Sequence, residues 1–231
     1  MTKIPIPFTV LTSDKNSWLL RGFYYLFNKY IGEDSEAIIY GNLEPSFGYP
    51  KNFSFVSIGE YPKSRWGEFF MRVLAKDSNE LILIMLEDYW CNSPADLAGL
   101  GIAYTYISEN KDVLRFDLSY DRVNKPHREV GRFLGKKIIE TTKNAPYLMS
   151  FQTGIWRKSL LLPYILDVET PQECEINGTD RLRKKYGDFS IVAFDRAVIN
   201  YTPVYRGHRS ELSLQKLSNE DVEKITSERW L

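Results

Sequence analysis

Leu81-Ile-Leu-Ile-Met-Leu-Glu-Asp-Tyr-Trp90 is the stretch on which the reading of this chain turns. Its first six residues are apolar without alternation, as in a strand buried on both faces. Six residues are too few to cross a bilayer as a helix. A strand covered on both sides needs helices on both sides, and the flanking sequence offers them. Upstream, residues 8–11 form a short β-rich run that stops at the polar turn Thr12-Ser-Asp14. Apolar residues at 19, 20, 23, 26, 27, 30 and 31 then predict a helix over 18–31. Residues 36–40 and 53–58 read as two further strands. Ser64 is placed to cap a helix over 66–75, with Phe69, Phe70, Val73 and Leu74 on one stripe. Downstream, 96–108 reads as a helix and 113–118 as an alternating strand nearer a sheet edge. This β-α-β-β-α-β-α-β order predicts one α/β domain with a mostly parallel sheet flanked by helices.

The remainder of the chain is less regular. It holds an aromatic stretch at 147–156, a helix signal after Thr170 and a polar tail from Ser210. We expect residues 1–120 to form a ligand-binding half, 121–210 the opposing half and 211–231 a tail, all within one domain. At 231 residues, 43% hydrophobic and 26% charged, the composition is that of a globular chain with a core of its own. Thirty basic and thirty acidic side chains cancel, which argues against coating nucleic acid by bulk charge. The cancellation hides nets of −4, +6 and −2 over the three segments. Cys91 and Cys174 have neither metal nor redox spacing and read as small packing residues. The N-terminal residues show no signal-peptide pattern, so a soluble, cytoplasmic protein is expected. The one compositional excess is aromatic, with 15 Tyr, 13 Phe and 5 Trp.

In α/β sheets of this kind ligands gather at the carboxyl ends of strands. Two polar turns fall there: Thr12-Ser-Asp14, and Glu87-Asp88 after the buried strand. Adjacent carboxylates at such a place suit a hard cation, Mg²⁺ or Mn²⁺, whose shell substrate phosphates complete; they are equally a solvated start to a loop. Asp14 has the acceptor oxygens to take a base N–H or ribose hydroxyl, or to make an Asx-type turn. Arg21, early in the next helix, is a candidate for a phosphate or for a surface ion pair. Thr170-Pro-Gln-Glu173 is a capping box with Pro at the first helical position. That gives Glu173 a structural task and leaves Glu175 pointing elsewhere. Gln152, Trp156, Tyr89 and Trp90 have the amide and rings that a sugar surface uses, although Trp156 beside Leu160 and Leu161 also reads as core. His127 and His208 are the only histidines, and His208 stands between Arg206 and Arg209. Arg181-Leu-Arg-Lys-Lys185 is the densest basic run, either a solvated helix end or a contact for an anionic partner. P-loop, dinucleotide, nucleophile-elbow and zincin motifs are absent.

The segment Ile82-Leu-Ile-Met-Leu-Glu-Asp-Tyr-Trp90 resembles the acidic strand end of GT-A glycosyltransferases, with Glu87-Asp88 standing where those enzymes have Asp-x-Asp or Asp-Asp. The Trp66 helix, Ser150-Phe-Gln-Thr-Gly-Ile-Trp156 and Glu169-Thr-Pro-Gln-Glu-Cys-Glu-Ile176 add to this. Together they make residues 8–180 similar to a bacterial and phage group of small GT-A-like glycosyltransferases. The resemblance implies a GT-A-like, Rossmann-like fold and a nucleoside-diphosphate-sugar donor, such as a UDP-sugar. It further implies a divalent metal on Asp88 and Glu87, with His208 as a further ligand. Thr12 and Asp14 would contact the nucleoside. An acidic residue near the start of the later helix, Glu175 or Glu173, would be the base of an inverting transfer to an acceptor hydroxyl. A saccharide acceptor is expected, with a hydroxylated base in phage DNA as the alternative. A nucleotidyltransferase could use the same sheet and carboxylates, but Leu11-Thr-Ser-Asp-Lys-Asn16 lacks the glycines of its phosphate loop. A non-catalytic sugar- or nucleotide-binding protein is the third possibility.

Overall fold

The computed structural model describes residues 4–204 and 210–230. Its strands are β1 (Phe8–Leu11), β2 (Ala37–Gly41), β3 (Phe53–Ser57), β4 (Leu81–Leu86), β5 (Tyr89–Cys91), β6 (Val113–Asp117), β7 (His127–Phe133), β8 (Lys136–Thr141), β9 (Gly154–Arg157), β10 (Ser190–Phe194) and β11 (Tyr201–Pro203). The helices are α1 (Leu20–Tyr30), α2 (Trp66–Lys76), α3 (Leu97–Glu109), the short α4 (Lys158–Leu161), α5 (Pro171–Lys184), α6 (Ser210–Leu214) and α7 (Asn219–Ser227). Nine strands make one sheet in the order β3-β2-β1-β4-β9-β6-β10-β8-β7, and β5 pairs with β11 in a separate ribbon. From β3 to β4 the pairing is parallel. β9 then enters antiparallel between β4 and β6. β10 is parallel to β6, and the β7–β8 hairpin closes that side antiparallel. The fold class is the α/β sheet flanked by helices that the sequence indicated.

β4 shows why its composition is unbroken. Leu83 and Met85 face a core shared with Phe23 and Phe27 of α1 and Ala103 and Ile107 of α3. Ile82 and Ile84 face the other core, with Phe69, Phe70 and Val73 of α2 and Leu182 of α5. Alternate side chains of one strand thus serve two helical layers. Arg157 and Lys158, at the end of β9, finish two of those helices. Arg157 donates to the carbonyls of Ile107 and Asn110 at the C-terminal end of α3, and Lys158 to those of Leu74 and Asp77 at the C-terminal end of α2. Cations there satisfy carbonyls that have no intrahelical partner.

Two local expectations are corrected. Ser64 does not cap α2: residues 63–65 form a 3-10 turn and the cap position is Arg65, without a side-chain bond. Residues 113–117 are not near an edge but form a fully buried central strand. The register against β10 passes from Ser190–Val113 to Ile191–Arg115, so Leu114 is an extra, bulged residue. The alternating Arg115 and Asp117 that suggested an exposed face instead pair with each other inside the protein, Nη2 to Oδ2 at 2.5 Å. Cys91 and Cys174 are free and buried, as small packing residues. No helix among the described residues is long and apolar enough to cross a membrane.

Candidate active site

The two carboxylates after β4 diverge. Glu87 is only 6% exposed. Its backbone N–H reaches the Leu11 carbonyl at 3.3 Å, which ties this turn to the loop after β1. Burial, and then the neighbouring Asp88, push the Glu87 carboxyl up to about 8, while the Asn16 side chain and the Ser13 backbone act against the shift. Its charge also acts on the Tyr61 phenol, which burial raises and which stacks on Phe69. Glu87 therefore belongs to a pocket of loop groups from residues 13–16 and 61. Asp88 turns to the other side. Burial raises its carboxyl as well, and Oδ1 has no hydrogen-bond partner among the described residues.

Asp88 opens onto a cleft of about 630 Å³, within the ~300–1,000 Å³ range of small-ligand sites. Tyr89, Ser119, Gln152, Tyr201 and Lys216 also line it. The β5–β11 ribbon builds one wall, where Tyr89 and Tyr201 stack with ring centroids 4.4 Å apart. Gln152 Oε1 accepts from the Tyr201 hydroxyl at 2.7 Å and lies 3.3 Å from Ser119 Oγ. Ser119 donates in turn to Asp117 through its N–H and Oγ, at 2.8 and 2.9 Å.

Below this wall lies a buried ionic network. Arg115 is wholly buried, lies over the Trp156 ring at 4.9 Å, and donates to the Gln152 carbonyl at 2.9 Å as well as to Asp117. Arg122, also wholly buried, pairs with Asp121 and donates to the Tyr147 carbonyl at 2.8 Å. Buried guanidinium groups are tolerated only when paired in this way. Nε and Nη1 of Arg115, and Nη1 of Arg122, are without partners among the described residues. Glu175 meets this network from α5. It accepts from the Phe151 N–H at 2.7 Å, one residue before Gln152. Its carboxyl is raised chiefly by burial, against the pull of the Phe151 N–H, Arg115 and Arg122.

Neither a protein-family profile nor a curated protein sequence matches the chain. Solved structures do. An apo UDP-glucose pyrophosphorylase superposes with a TM-score of 0.50 at 13% identity, covering 97% of this chain and 99% of that one. A UDP-glucose pyrophosphorylase complexed with UDP-glucose gives 0.50 at 12% identity, over 96% and 99%. Residues 1–349 of S. aureus TarS give 0.50 at 17% identity, over 85% of this chain but 60% of TarS 1–349. The likeness shows the fold.

The expected site residues separate into three sets. Asp88, Tyr89 and Gln152 share the cleft, and Glu175 is tied to the Phe151 N–H, one residue from Gln152. Glu87, Thr12 and Asp14 lie at the first loop. There Thr12 is buried, its hydroxyl 3.5 Å from the Ser13 carbonyl, and Asp14 accepts from the Asn42 side chain at 2.8 Å and the Leu43 N–H at 3.0 Å. The Asp14 side chain thus ties the first loop to the loop after β2, and the Asx-type turn expected from the sequence is not formed.

The third set is corrected. Trp156 and Trp90 are each 0% exposed and cannot stack on a sugar. Trp156 packs under Arg115 and Trp90 against Gly22, where an added Cβ would lie 2.4 Å from the ring. Arg21 stacks on Phe47 at 4.5 Å and lines a different cavity. Glu173 closes the capping box, its Oε2 taking the Thr170 N–H at 2.9 Å and hydroxyl at 2.8 Å, so it is not free to act as a base. His208 lies outside the described residues. No three His, Cys, Asp or Glu side chains among the described residues gather as a metal site. Arg115, Asp117, Ser119, Tyr201 and Lys216 were not singled out in the sequence. The polar positions Arg115 and Asp117 within β6, and Ser119 just past it, were the available signal.

Proposed function

We propose that the protein is a nucleotide-sugar-dependent glycosyltransferase with GT-A-like architecture. The observation that carries this reading is Asp88: a half-buried carboxylate, one oxygen of which is buried without a partner among the described residues, on the lining of a ligand-sized cleft at the carboxyl end of β4. One carboxylate and the phosphates of a substrate are a usual donor set for Mg²⁺ or Mn²⁺, so Asp88 fits such a cation, with Glu87 too strongly held by the first loop to share it. When bound, the cation offsets charge on the departing diphosphate. Lys216, exposed on the cleft, supplies a further counter-charge. The first loop, with Thr12 and Asp14, takes the nucleoside, and Tyr89 and Gln152 contact the acceptor saccharide.

Glu175 acts as the base. Its carboxylate takes the acceptor's hydroxyl proton while that oxygen bonds to the anomeric carbon and the sugar–phosphate C–O bond breaks with inversion. The nucleoside diphosphate leaves with the bonding pair. A raised pKa suits this task, because a base nearer the working pH is the stronger proton acceptor.

The second reading is a nucleotidyltransferase, favoured by a superposition on UDP-glucose pyrophosphorylase that spans 97% of the chain. Against it stands the loop Leu11-Thr-Ser-Asp-Lys-Asn16, which has no glycine to cradle a triphosphate. A thermal-shift panel of nucleotide sugars with and without Mn²⁺ tests the donor site. A donor at 100 times its Kd stabilises by about 2.7 kcal/mol. The expected result is a Mn²⁺-dependent shift for at least one donor, lost in Asp88→Ala; no shift with any donor would overturn the reading.

A further inference from the structure

A second cavity, of about 640 Å³, runs along α1 and shares no lining residue with the cleft. Arg21, Tyr25, Asn28 and Lys29 fall on one face of that helix and line the cavity, while Leu20, Phe23 and Phe27 hold the opposite face in the core. Phe47, in the loop after β2, and Trp230, beyond α7, complete its walls. This is where Arg21 and part of the aromatic excess are placed, and the transfer reaction uses neither.

The walls are fixed from behind. Arg21 lies over the Phe47 ring at 4.5 Å, and Trp230 stands 5.7 Å from the Tyr25 ring. Asn52 Nδ2 donates to Asn28 Oδ1 at 2.9 Å. Asp221, wholly buried, receives Lys29 Nζ at 2.7 Å, the Tyr25 hydroxyl at 3.0 Å and the Tyr30 hydroxyl at 2.5 Å. That one carboxylate clamps α7 to α1 and sets the distance between the cavity's walls. Groups held in this way lose little freedom when a ligand arrives.

Charge narrows the ligand. Lys29 is spent on Asp221 and Glu220, and Glu33 stands on the lining opposite Arg21 in sign. No surplus positive charge remains to draw a phosphate. What the walls offer is flat apolar rings interleaved with an amide, a carboxylate and a guanidinium. A pyranose presents C–H faces to such rings and hydroxyl edges to such polar groups. We infer that this cavity is a second carbohydrate-binding site, taking an uncharged oligosaccharide chain. It stands independently of the donor reading, since none of its residues takes part in the proposed transfer.

Titrating the full chain with uncharged linear tetrasaccharides of glucose, galactose, mannose and N-acetylglucosamine, followed by saturation-transfer NMR, tests this. UDP and ADP serve as charged comparisons. At least one tetrasaccharide is expected to bind, with affinity at least tenfold weaker in Trp230→Ala and in Asn28→Ala, and unchanged in Asp88→Ala. Arg21→Gln carries the same test should either variant fail to fold. The inference is overturned if no tetrasaccharide binds. It is equally overturned if binding survives all three cavity variants, disappears only with Asp88→Ala, or gives way to UDP or ADP at this cavity.

Discussion

Glu173 and Glu175 are two residues apart on α5 and have opposite surroundings. Glu173 is exposed, and the Thr170 backbone N–H holds it below the usual carboxylate range. Glu175 is held above that range by burial. In a raised carboxyl the folded state favours the neutral form, so its charge costs stability once the pH passes the unfolded value near ~4.3. The penalty is absent below that pH and complete above the folded pKa. Glu175→Gln keeps an acceptor for the Phe151 N–H and removes the charge. Its Tm should therefore equal or exceed that of the unaltered chain at pH 8, with the gain vanishing toward pH 4. Transfer should fall by about 10²–10⁴-fold, the usual worth of a general base. In the unaltered chain kcat/KM should drop as the pH falls through a pKa above the ordinary glutamate range. A variant that is less stable at pH 8 yet active would contradict both assignments. The capping box could be read from Thr170-Pro-Gln-Glu173 because its groups are local in sequence. The fate of Trp90 and Trp156 could not, because burial of a ring is decided by distant partners such as Gly22 and Arg115.

At the scale of elements, glycines mark where helices approach other chain segments closely. A Cβ on Gly67, in the first turn of α2, would lie 1.8 Å from the Leu166 carbonyl oxygen. There the Gly67 and Glu68 N–H groups meet the carbonyls of Glu169 and Asp167, fixing the segment that leads into α5 and Glu175. Gly101 in α3 has open space around it. By urea denaturation, Gly67→Ala should lose about 2–3 kcal/mol through overpacking. Gly101→Ala should gain about 0.5–1 kcal/mol from helix propensity. Equal effects would mean that the α2 contact is not as close as described. The helices and parallel strands of the first half announced themselves by periodicity and unbroken apolar runs. β5 and β11 were hidden because each is three residues long, too short for a period to register. β6 misled because its polar alternation reflects an internal ion pair beside a bulge, not a solvated face.

Across the whole molecule, the basic middle segment proves less available than its net charge of +6 suggests. In the 181–185 run, Arg181 is bound to Glu169 at 2.6 Å and Arg183 to Asp180 at 2.6 Å. In the β7–β8 hairpin, Arg128 is paired with Glu140 and Lys137 with Glu129. The pairs of Arg181 and Arg183 occupy two of the four basic side chains of the 181–185 run. The sheet instead places Asp88, with its unpartnered oxygen, and the exposed Lys216 on one cleft, with the proposed base Glu175 tied to the Phe151 N–H next to the lining residue Gln152. Phosphorus NMR of the full chain with Mg²⁺, which is diamagnetic, and the nucleotide sugar giving the largest thermal shift tests the central claim most directly. Parallel samples receive a mixture of alkyl glycoside acceptors or inorganic pyrophosphate. Sugar transfer predicts nucleoside diphosphate in the acceptor sample and no reaction with pyrophosphate. Nucleoside triphosphate and sugar 1-phosphate in the pyrophosphate sample, with no diphosphate in the other, would contradict it.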